Sequence, residues 1–374
     1  MAEGLPFADG RRPVVLVVLA SEQLWPNLES ICLYRESLRH LVILHTSDRH
    51  KSGQPAQALA AIAQKQFNIE AERMRVGPQP RDVTAAVAQV IRRFKEGPEG
   101  IVLNATCGTK LMTAGILRWV DAPGTATIYR EFEGTWYRLR RDRDGRSITA
   151  AALRTEPNPT DVLDIRLLLK VAWSPVKAEV DAADLPDLPI DQIAATLAKH
   201  AREGRRAWIR AFRQVAPGHM KKRSRPSDAG GLFEAFVAGC VRQLGATNGI
   251  LNVEFRRGHT SLQELDVVVN SGGRIVIVDC KIGRPSGDLR LLQEAAQIRQ
   301  QVGGLSAGCV VLRPDKPCSQ PLQWLSDFLR IRFVPRERIG RLCHILGECL
   351  GVRELPRVAI ETDRYLAQWN AKRP

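Results

Sequence analysis

The sequence predicts an α/β protein with two domains and a helical connector between them. Three observations carry this. Over the first 150 residues, short apolar runs alternate with helical patterns, as in a parallel sheet wound on both faces. Residues 151–225 instead mix Pro-rich patches with helical segments and end in a basic link. Residues 226–374 then read helix, three strands, helix and strand. A length of 374 residues favours two domains over one.

The first strand is PVVLVVLA at 13–20, a continuous apolar run of the kind a buried parallel strand needs. SEQLWPNLESICLYRESLRH reads as a loop and then a helix. HLVILHT is the second strand, ending near Thr46 and Ser47. An Ala-rich helix at 56–66, a strand at 68–77 and a helix at 81–95 follow. IVLNA at 101–105 is the next strand, and TATIYREF with TWYRLRR suggests a closing hairpin near 125–141. VLDIRLLLKVAW and IDQIAATLAKHAREGRRAWIRAFRQ are the connector's helical segments, and HMKKRSRPSDAGG at 219–231 is the basic link. In GLFEAFVAGCVRQLG, Leu232, Phe233, Phe236, Val237, Cys240 and Val241 follow helical spacing. Strands near 251–257, a hairpin, a helix at 288–302, a strand at GCVVL and a helix near 337–350 complete the chain.

The formal net charge is +15, which points to a polyanionic partner, with a merely solvated basic surface as the competing account. Cys32, Cys107, Cys240, Cys280, Cys309, Cys318, Cys343 and Cys349 form no CxxC pair, so neither a zinc site nor a disulfide framework is supported. No apolar run approaches membrane-spanning length, and the N-terminus lacks the order of a signal peptide. The chain reads as soluble and cytoplasmic, with no membrane partner. His40, His45, His219, His259 and His344 show no ligand spacing.

The chemistry concentrates in ELDVVVNSGGRIVIVDCKIG at 264–283. Two apolar strands meet at an Asn-Ser-Gly-Gly turn. Alternation puts Asp279 and Lys281 on one face. A turn centred between Ser271 and Gly272 sets Glu264 opposite Asp279 and Asp266 opposite Ile277. Three carboxylates and an amine then share a half-buried face. Such crowding is costly unless a cation relieves it. Mg²⁺ or Mn²⁺ suits carboxylate oxygen and can activate water against a phosphodiester. Glu234 completes the set if its helix packs across the sheet. An exposed Asp279–Lys281 salt bridge is the bland alternative. Geometry alone does not choose between Glu264 and Asp266.

Glu234, the ELD ending in Asp266, and DCK at 279–281 resemble the PD-(D/E)XK nuclease core. The resemblance implies a restriction-endonuclease-like α/β domain. It implies Asp266 and Asp279 as metal ligands, Lys281 as the catalytic lysine and Glu234 as an accessory ligand. The main-chain carbonyl of Cys280 is a further implied ligand. The family pattern favours Asp266 over Glu264, and Asp279 stands where relatives often carry Glu.

In the first domain two loops lie at strand ends, ASEQLWPNLES at 20–30 and NATCGTKLM at 104–112. Small residues, hydroxyls and a lysine at a helix start suit an anionic or nucleotide ligand. Neither loop is a Walker A or GxGxxG motif, and an ordinary Thr-capped turn is the alternative reading. Together the loops resemble the CRISPR-associated Rossmann fold (CARF) sensor domain, over roughly residues 10–145. Cys107 stands where relatives often carry glycine. With the nuclease core, the chain resembles single-CARF, PD-(D/E)XK effector nucleases of type III CRISPR antiviral defence. That implies a homodimer activated by a cyclic oligoadenylate, cyclic tetra-adenylate above others, cutting DNA or RNA. By position Ser21, Glu22, Gln23 and Asn27, with Asn104, Ala105, Thr106, Cys107, Gly108, Thr109 and Lys110, would line the ring site, and Ser47 is a weaker candidate.

Lys221, Lys222, Arg223 and Arg225 are placed to track a substrate backbone, or are simply a solvated linker. Trp208 and Phe212, among Arg205, Arg206, Arg210 and Arg213, read as the apolar stripe of a helix, with base stacking as the alternative. Two further functions compete with the gated nuclease. One is a ligand-controlled nucleic-acid-binding regulator with an inactive nuclease fold. The other is a constitutive, restriction-like endonuclease.

Overall fold

The computed structural model of the protein describes residues 3–7, 12–22, 24–94, 97, 99–131, 135–154, 163–172, 179–218, 229–271, 274–282, 288–303 and 307–373. The chain divides into two units, Met1–Val162 and Leu163–Pro374.

In the first unit the order is β1 (Val14–Leu19), α1 (Trp25–Tyr34), β2 (Leu38–His45), a short π turn at Arg49–Gly53, α2 (Gln54–Phe67), β3 (Glu70–Arg75), α3 (Pro80–Phe94), β4 (Gly100–Asn104), α4 (Lys110–Leu117), β5 (Thr125–Arg130), β6 (Trp136–Arg141) and β7 (Ile148–Ala152). The sheet runs β3-β2-β1-β4-β5-β6-β7. Strands β1 to β5 pair in parallel, whereas β5–β6 and β6–β7 are antiparallel. One face of β1 packs Val15, Val17 and Leu19 against Val83, Val87 and Val90 of α3 and Met112 and Ile116 of α4. The alternate residues Val14, Leu16 and Val18 are also fully buried, so both faces are covered. Strand order reverses between β1 and β4, the kind of switch point at which open α/β sheets bind ligands outside their carboxyl ends. The expected loop at 20–30 is shorter than the sequence suggested. Pro26 sits in the first turn of α1, where its fixed φ starts a helix, so the helix begins at Trp25. Strand β7 was not foreseen; its ITAAA carries little strand patterning.

The second unit continues with α5 (Ile165–Ala172), β8 (Glu179–Asp184), α6 (Ile190–Lys199), α7 (Arg206–Val215), α8 (Ala229–Gln243), β9 (Gly249–Arg257), β10 (Thr260–Ser271), β11 (Arg274–Cys280), α9 (Asp288–Gly303), β12 (Gly308–Arg313), α10 (Gln320–Phe328), β13 (Arg332–Pro335), a 3-10 turn at Arg336–Arg341, α11 (Leu342–Leu350) and α12 (Arg357–Ala371). The sheet order is β13-β12-β11-β10-β9-β8, with β11 to β13 parallel and β8 to β11 antiparallel.

The stretch read as a connector enters this unit. Strand β8 pairs with β9 at the sheet's edge. Ile190, Ile193 and Leu197 of α6 and Trp208 and Phe212 of α7 join its core. Trp208 is ringed by Phe233, Phe236 and Trp369 at centroid distances of 5.2, 5.3 and 5.6 Å, so it packs in the interior and does not present a stacking surface. The basic link with His219, Lys221, Lys222, Arg223 and Arg225 lies outside the described residues.

The hairpin register differs from the one expected. Ser271 pairs with Arg274 and Val267 with Val278, where the expected register set Val269 opposite Arg274. Each strand is one residue further along than assumed. Continuing the ladder sets Asp266, not Glu264, opposite Asp279. The shift is even overall, so the acids keep the face assigned to them. That face carries α9, through Leu291, Leu292 and Ala295, and α10, through Leu322, in one cluster with Cys309, Val311 and Phe333. The other face packs Val267, Val269, Val276 and Val278 under α6, α7, α8, α11 and α12.

Candidate functional site

Each unit carries a candidate site at the carboxyl ends of its parallel strands. In the second unit it lies where β10 and β11 leave regular pairing. Asp266 Oδ2 accepts the main-chain N–H of Cys280 at 2.6 Å and the Lys281 ammonium at 3.1 Å. Asp279 Oδ1 lies 2.7 Å from the same ammonium. Side-chain exposure rises from 8% at Asp266 through 22% at Asp279 to 41% at Lys281, so the site runs from a buried acid to an open amine. Asp266, Asp279 and Lys281, with Glu264 and Leu291, border a cleft of about 80 Å³. Glu264 itself is exposed.

Burial raises the Asp266 carboxyl above its usual range, and the charges of Asp279 and Glu234 push it the same way. Lys281 pulls it back, but less strongly. The Lys281 ammonium is held well above its ordinary pKa: Asp266 and Asp279 together outweigh the opposing effect of burial. One cation therefore compensates two carboxylates. Glu234 reaches the site electrostatically, but from α8, which packs on the opposite face of the sheet. Cys280 points its side chain into that opposite core and is fully buried there.

The donor set can be tested against a divalent ion. Asp266 and Asp279 converge on a single positive charge, as ligand oxygens do. Among the described residues no group of three or more His, Cys, Asp and Glu side chains could hold a metal ion. Two carboxylates nevertheless suffice for Mg²⁺, which fills its other positions with water and substrate phosphate. The residues fit an ion of that class. Sequence reasoning missed Glu294 on α9, which lines the same cleft and pairs with Arg290 at 2.7 Å. Its only sequence signal is an Arg four residues before it, which also marks ordinary helix surfaces.

In the first unit the loops after β1 and β4 meet at the switch point. Asn27 and Asn104 lie beneath them, fully buried. Asn27 Nδ2 donates to Leu19 O at 2.8 Å. Asn104 Nδ2 donates to Ser30 Oγ at 3.1 Å, and its Oδ1 accepts from Thr106 N at 2.9 Å. Both asparagines hold the loops and do not line an open surface. Cys107 is likewise buried; burial pushes its thiol up to about 12, and the Ser21 hydroxyl bonds to it. Gly108, Thr109 and Lys110 are exposed, and Ser21 and Thr106 are half-buried. Gly108 has φ +86°, and a Cβ there would stand 2.9 Å from Leu19 Cδ1. Thr109 caps α4 by accepting from Met112 N at 3.3 Å, which leaves Lys110 in the first turn. Ala105 is buried and Glu22 is exposed, whereas Gln23 lies outside the described residues. Ser47 follows β2, beside a turn in which Thr46 N donates to Ser52 Oγ at 2.6 Å.

One buried ion pair under these loops escaped the sequence reading. Glu29 of α1 is bonded to the Arg130 guanidinium and accepts from Trp25 Nε1 at 3.1 Å. Arg130 N in turn donates to Thr106 Oγ1 at 2.9 Å. Burial raises Glu29 to about 7 against the pull of Arg130. The two residues are 101 positions apart, so no local pattern joins them.

Residues 15–137 match the family model described as the Card1 CARF domain. That match covers strands β1 to β5, the start of β6 and both loops of the first unit. No curated protein matches the chain. Solved structures that share its fold include the following three. Protein VC1899 from Vibrio cholerae is 16% identical with a TM-score of 0.69, and the match covers 92% of this chain and 99% of that one. Can2 from Sulfobacillus thermosulfidooxidans, solved with cyclic tetra-adenylate, is 18% identical with a TM-score of 0.64, covering 91% and 97%. A type III CRISPR defence DNA nuclease activated by cyclic oligoadenylate is 19% identical with a TM-score of 0.58, covering 96% of this chain and 54% of that one. Among the described residues no helix is long and apolar enough to cross a membrane.

Proposed function

We propose that the protein is a metal-dependent nuclease of CRISPR defence, switched on by a cyclic oligoadenylate. The observation that carries this is the convergence of Asp266 and Asp279 on the Lys281 ammonium, in a chain whose first unit matches a CARF domain. The ligand of the similar Can2 structure supports cyclic tetra-adenylate as the ring, and the type III nuclease supports cleavage as the output.

The second unit is read as a PD-(D/E)XK nuclease domain. Asp266, Asp279 and the Cys280 carbonyl would hold Mn²⁺ or Mg²⁺, with Glu234 as the accessory acid. When bound, the ion supplies activation of water and neutralisation of charge on the phosphodiester. The chain's own contribution is orientation and charge. The Cys280 N–H fixes Asp266 Oδ2. Lys281 keeps its proton at Nζ and places positive charge where the phosphodiester gains negative charge. In the first unit Ser21, Glu22, Gln23, Thr106, Gly108, Thr109 and Lys110 would meet the ring, Lys110 pairing with phosphate. Asn27, Asn104, Ala105 and Cys107 shape the loops from below. Two copies would share one ring across a two-fold axis. The ring acts as a switch only by binding the competent state more tightly.

The sparse carboxylate set favours one rival, a ring-controlled nucleic-acid-binding regulator without cleavage. One incubation series separates them. Protein is mixed with plasmid, single-stranded DNA or RNA, with and without Mn²⁺ or Mg²⁺ and cyclic tetra-adenylate. Cleavage only with metal and ring supports the gated nuclease. Cleavage without the ring supports a constitutive enzyme. Ring binding without any cleavage supports the regulator.

A further inference from the structure

The carboxyl ends of β11, β12 and β13 gather more positive charge than Lys281 alone. Lys281 N donates to Leu312 O at 3.0 Å, which lays the end of β11 against the end of β12. The next residue of β12 is Arg313, buried, with Nε 3.7 Å from Asp315 Oδ1. Arg313 pairs with Pro335 at the end of β13, and Arg336 follows. Arg336 N donates to Lys316 O at 2.8 Å, joining the loop after β12 to the turn after β13. The Arg336 guanidinium donates to Arg373 O at 3.2 Å. Arg373 in turn donates to Pro314 O at 2.8 Å and lies over the Trp369 ring, 4.4 Å from its centroid.

These bonds from Arg336 and Arg373 run to main-chain carbonyls and hold the two guanidinia beside the ends of β12 and β13. The crowding leaves a mark. Burial lowers the pKa of Arg373, and the charges of Arg336 and Arg205 lower it further, against the pull of Asp315. Arg205 is exposed before α7, and Lys316, Arg336 and Arg373 are half-buried. A polyanion would relieve this repulsion. Adjacent strands are about 4.8 Å apart, so the patch begins beside Lys281 and reaches about 10 Å across the sheet.

We propose that Arg205, Lys316, Arg336 and Arg373 form a phosphodiester-binding track that leads a nucleic-acid backbone to Asp279 and Lys281. The proposal rests on the nuclease reading for its destination, but the binding itself needs no cleavage. Recognition is of backbone charge, and the carbonyl-anchored guanidinia offer no base-reading surface.

The test is binding by the full chain in EDTA, where cleavage is stopped. Labelled single-stranded and duplex DNA and RNA are titrated across a salt series. In Arg205→Gln/Lys316→Gln the slope of log affinity against log salt is expected to fall by about 1.4 for single strands or about 1.8 for duplex, with about tenfold weaker binding near 100 mM salt. The equal charge change Arg353→Gln/Arg357→Gln, on exposed residues before and at the start of α12, is expected to leave the slope in place. If the double variant melts early, each single replacement is read instead, at half the slope change. Equal slopes for the track variant and the control overturn the proposal, as does absence of wild-type binding. Cleavage that persists alongside equal slopes removes the track and keeps the nuclease. A track-dependent slope without any cleavage keeps the track and removes the nuclease.

Discussion

Asp266 Oδ2 and Lys281 Nζ lie 3.1 Å apart, an acid of β10 joined to an amine just past the end of β11. The same ammonium lies 2.7 Å from Asp279. Without it, two carboxylates would face each other on a partly dry sheet. The lysine therefore has a structural task as well as the proposed chemical one, and the two can be separated.

In Lys281→Ala, cleavage is expected to fall by at least ~100-fold, the scale of losing a preorganised charge on the reacting group. Ring binding, measured by calorimetry, should be unchanged. Without metal the variant should be less stable by about 1 kcal/mol, since the ammonium is half exposed. Mg²⁺ should raise its melting temperature more than that of the wild type. Full cleavage by the variant would remove Lys281 from the mechanism.

The two acids of the ELD stretch should behave differently. Asp266 is buried and pinned by the Cys280 N–H, whereas Glu264 is exposed. Asp266→Asn is expected to abolish cleavage. Glu264→Gln should stay within about twofold of wild type, as surface replacements usually do. The reverse ranking, in a gel assay with saturating metal, would reassign the ligand.

Much of this was legible because strand parity is robust. Asp266, Asp279 and Lys281 stay on one face whether Arg274 pairs with Val269, as expected, or with Ser271, as observed. The opposing pair was not legible, because Asn-Ser-Gly-Gly offers two turn centres of similar quality. The apolar runs of β1 and β4 announced a parallel sheet, since burial on both faces leaves no alternation. Three kinds of feature were hidden. Trp208 joins the second core through residues distant in sequence, so its helix read as a connector. Asn27 and Asn104 looked like ligand contacts because polar residues at strand ends usually are exposed; only the fold shows them spent on each other's loops. The Glu29–Arg130 pair needs α1 and β5 to be in place before it exists.

That pair gives a pH dependence of known sign. Burial raises Glu29 from the model-compound value of 4.5 to about 7. The folded protein thus keeps a proton that the unfolded chain releases between those values. Its stabilising effect is complete below about 4.5 and is lost as pH rises through about 7. The wild type should therefore lose several degrees of melting temperature across that window relative to Glu29→Gln, which has nothing to titrate there. Parallel pH profiles for the two proteins would show that Arg130 keeps Glu29 ionised throughout.

A replacement at Gly108 should separate the proposed sensing from the proposed cutting. Its φ of +86° lies in the region that only glycine enters cheaply, and an added Cβ would meet Leu19 Cδ1 at 2.9 Å and Leu19 Cβ at 3.0 Å. Leu19 is fully buried at the end of β1, so it has little room to yield. In Gly108→Ala the loop must move outward or change its backbone angle, at a cost of about 1–2 kcal/mol. Either change displaces Thr109 and Lys110, the residues that start α4. Cyclic tetra-adenylate should therefore bind about tenfold more weakly, which is the equivalent of that cost. Cleavage should return towards the wild-type rate when the ring is raised to saturation, because Asp266, Asp279 and Lys281 lie in the other unit. Calorimetry and a ring titration of cleavage read the two effects separately. Unchanged ring affinity would mean that the loop after β4 is not the seat of the ring.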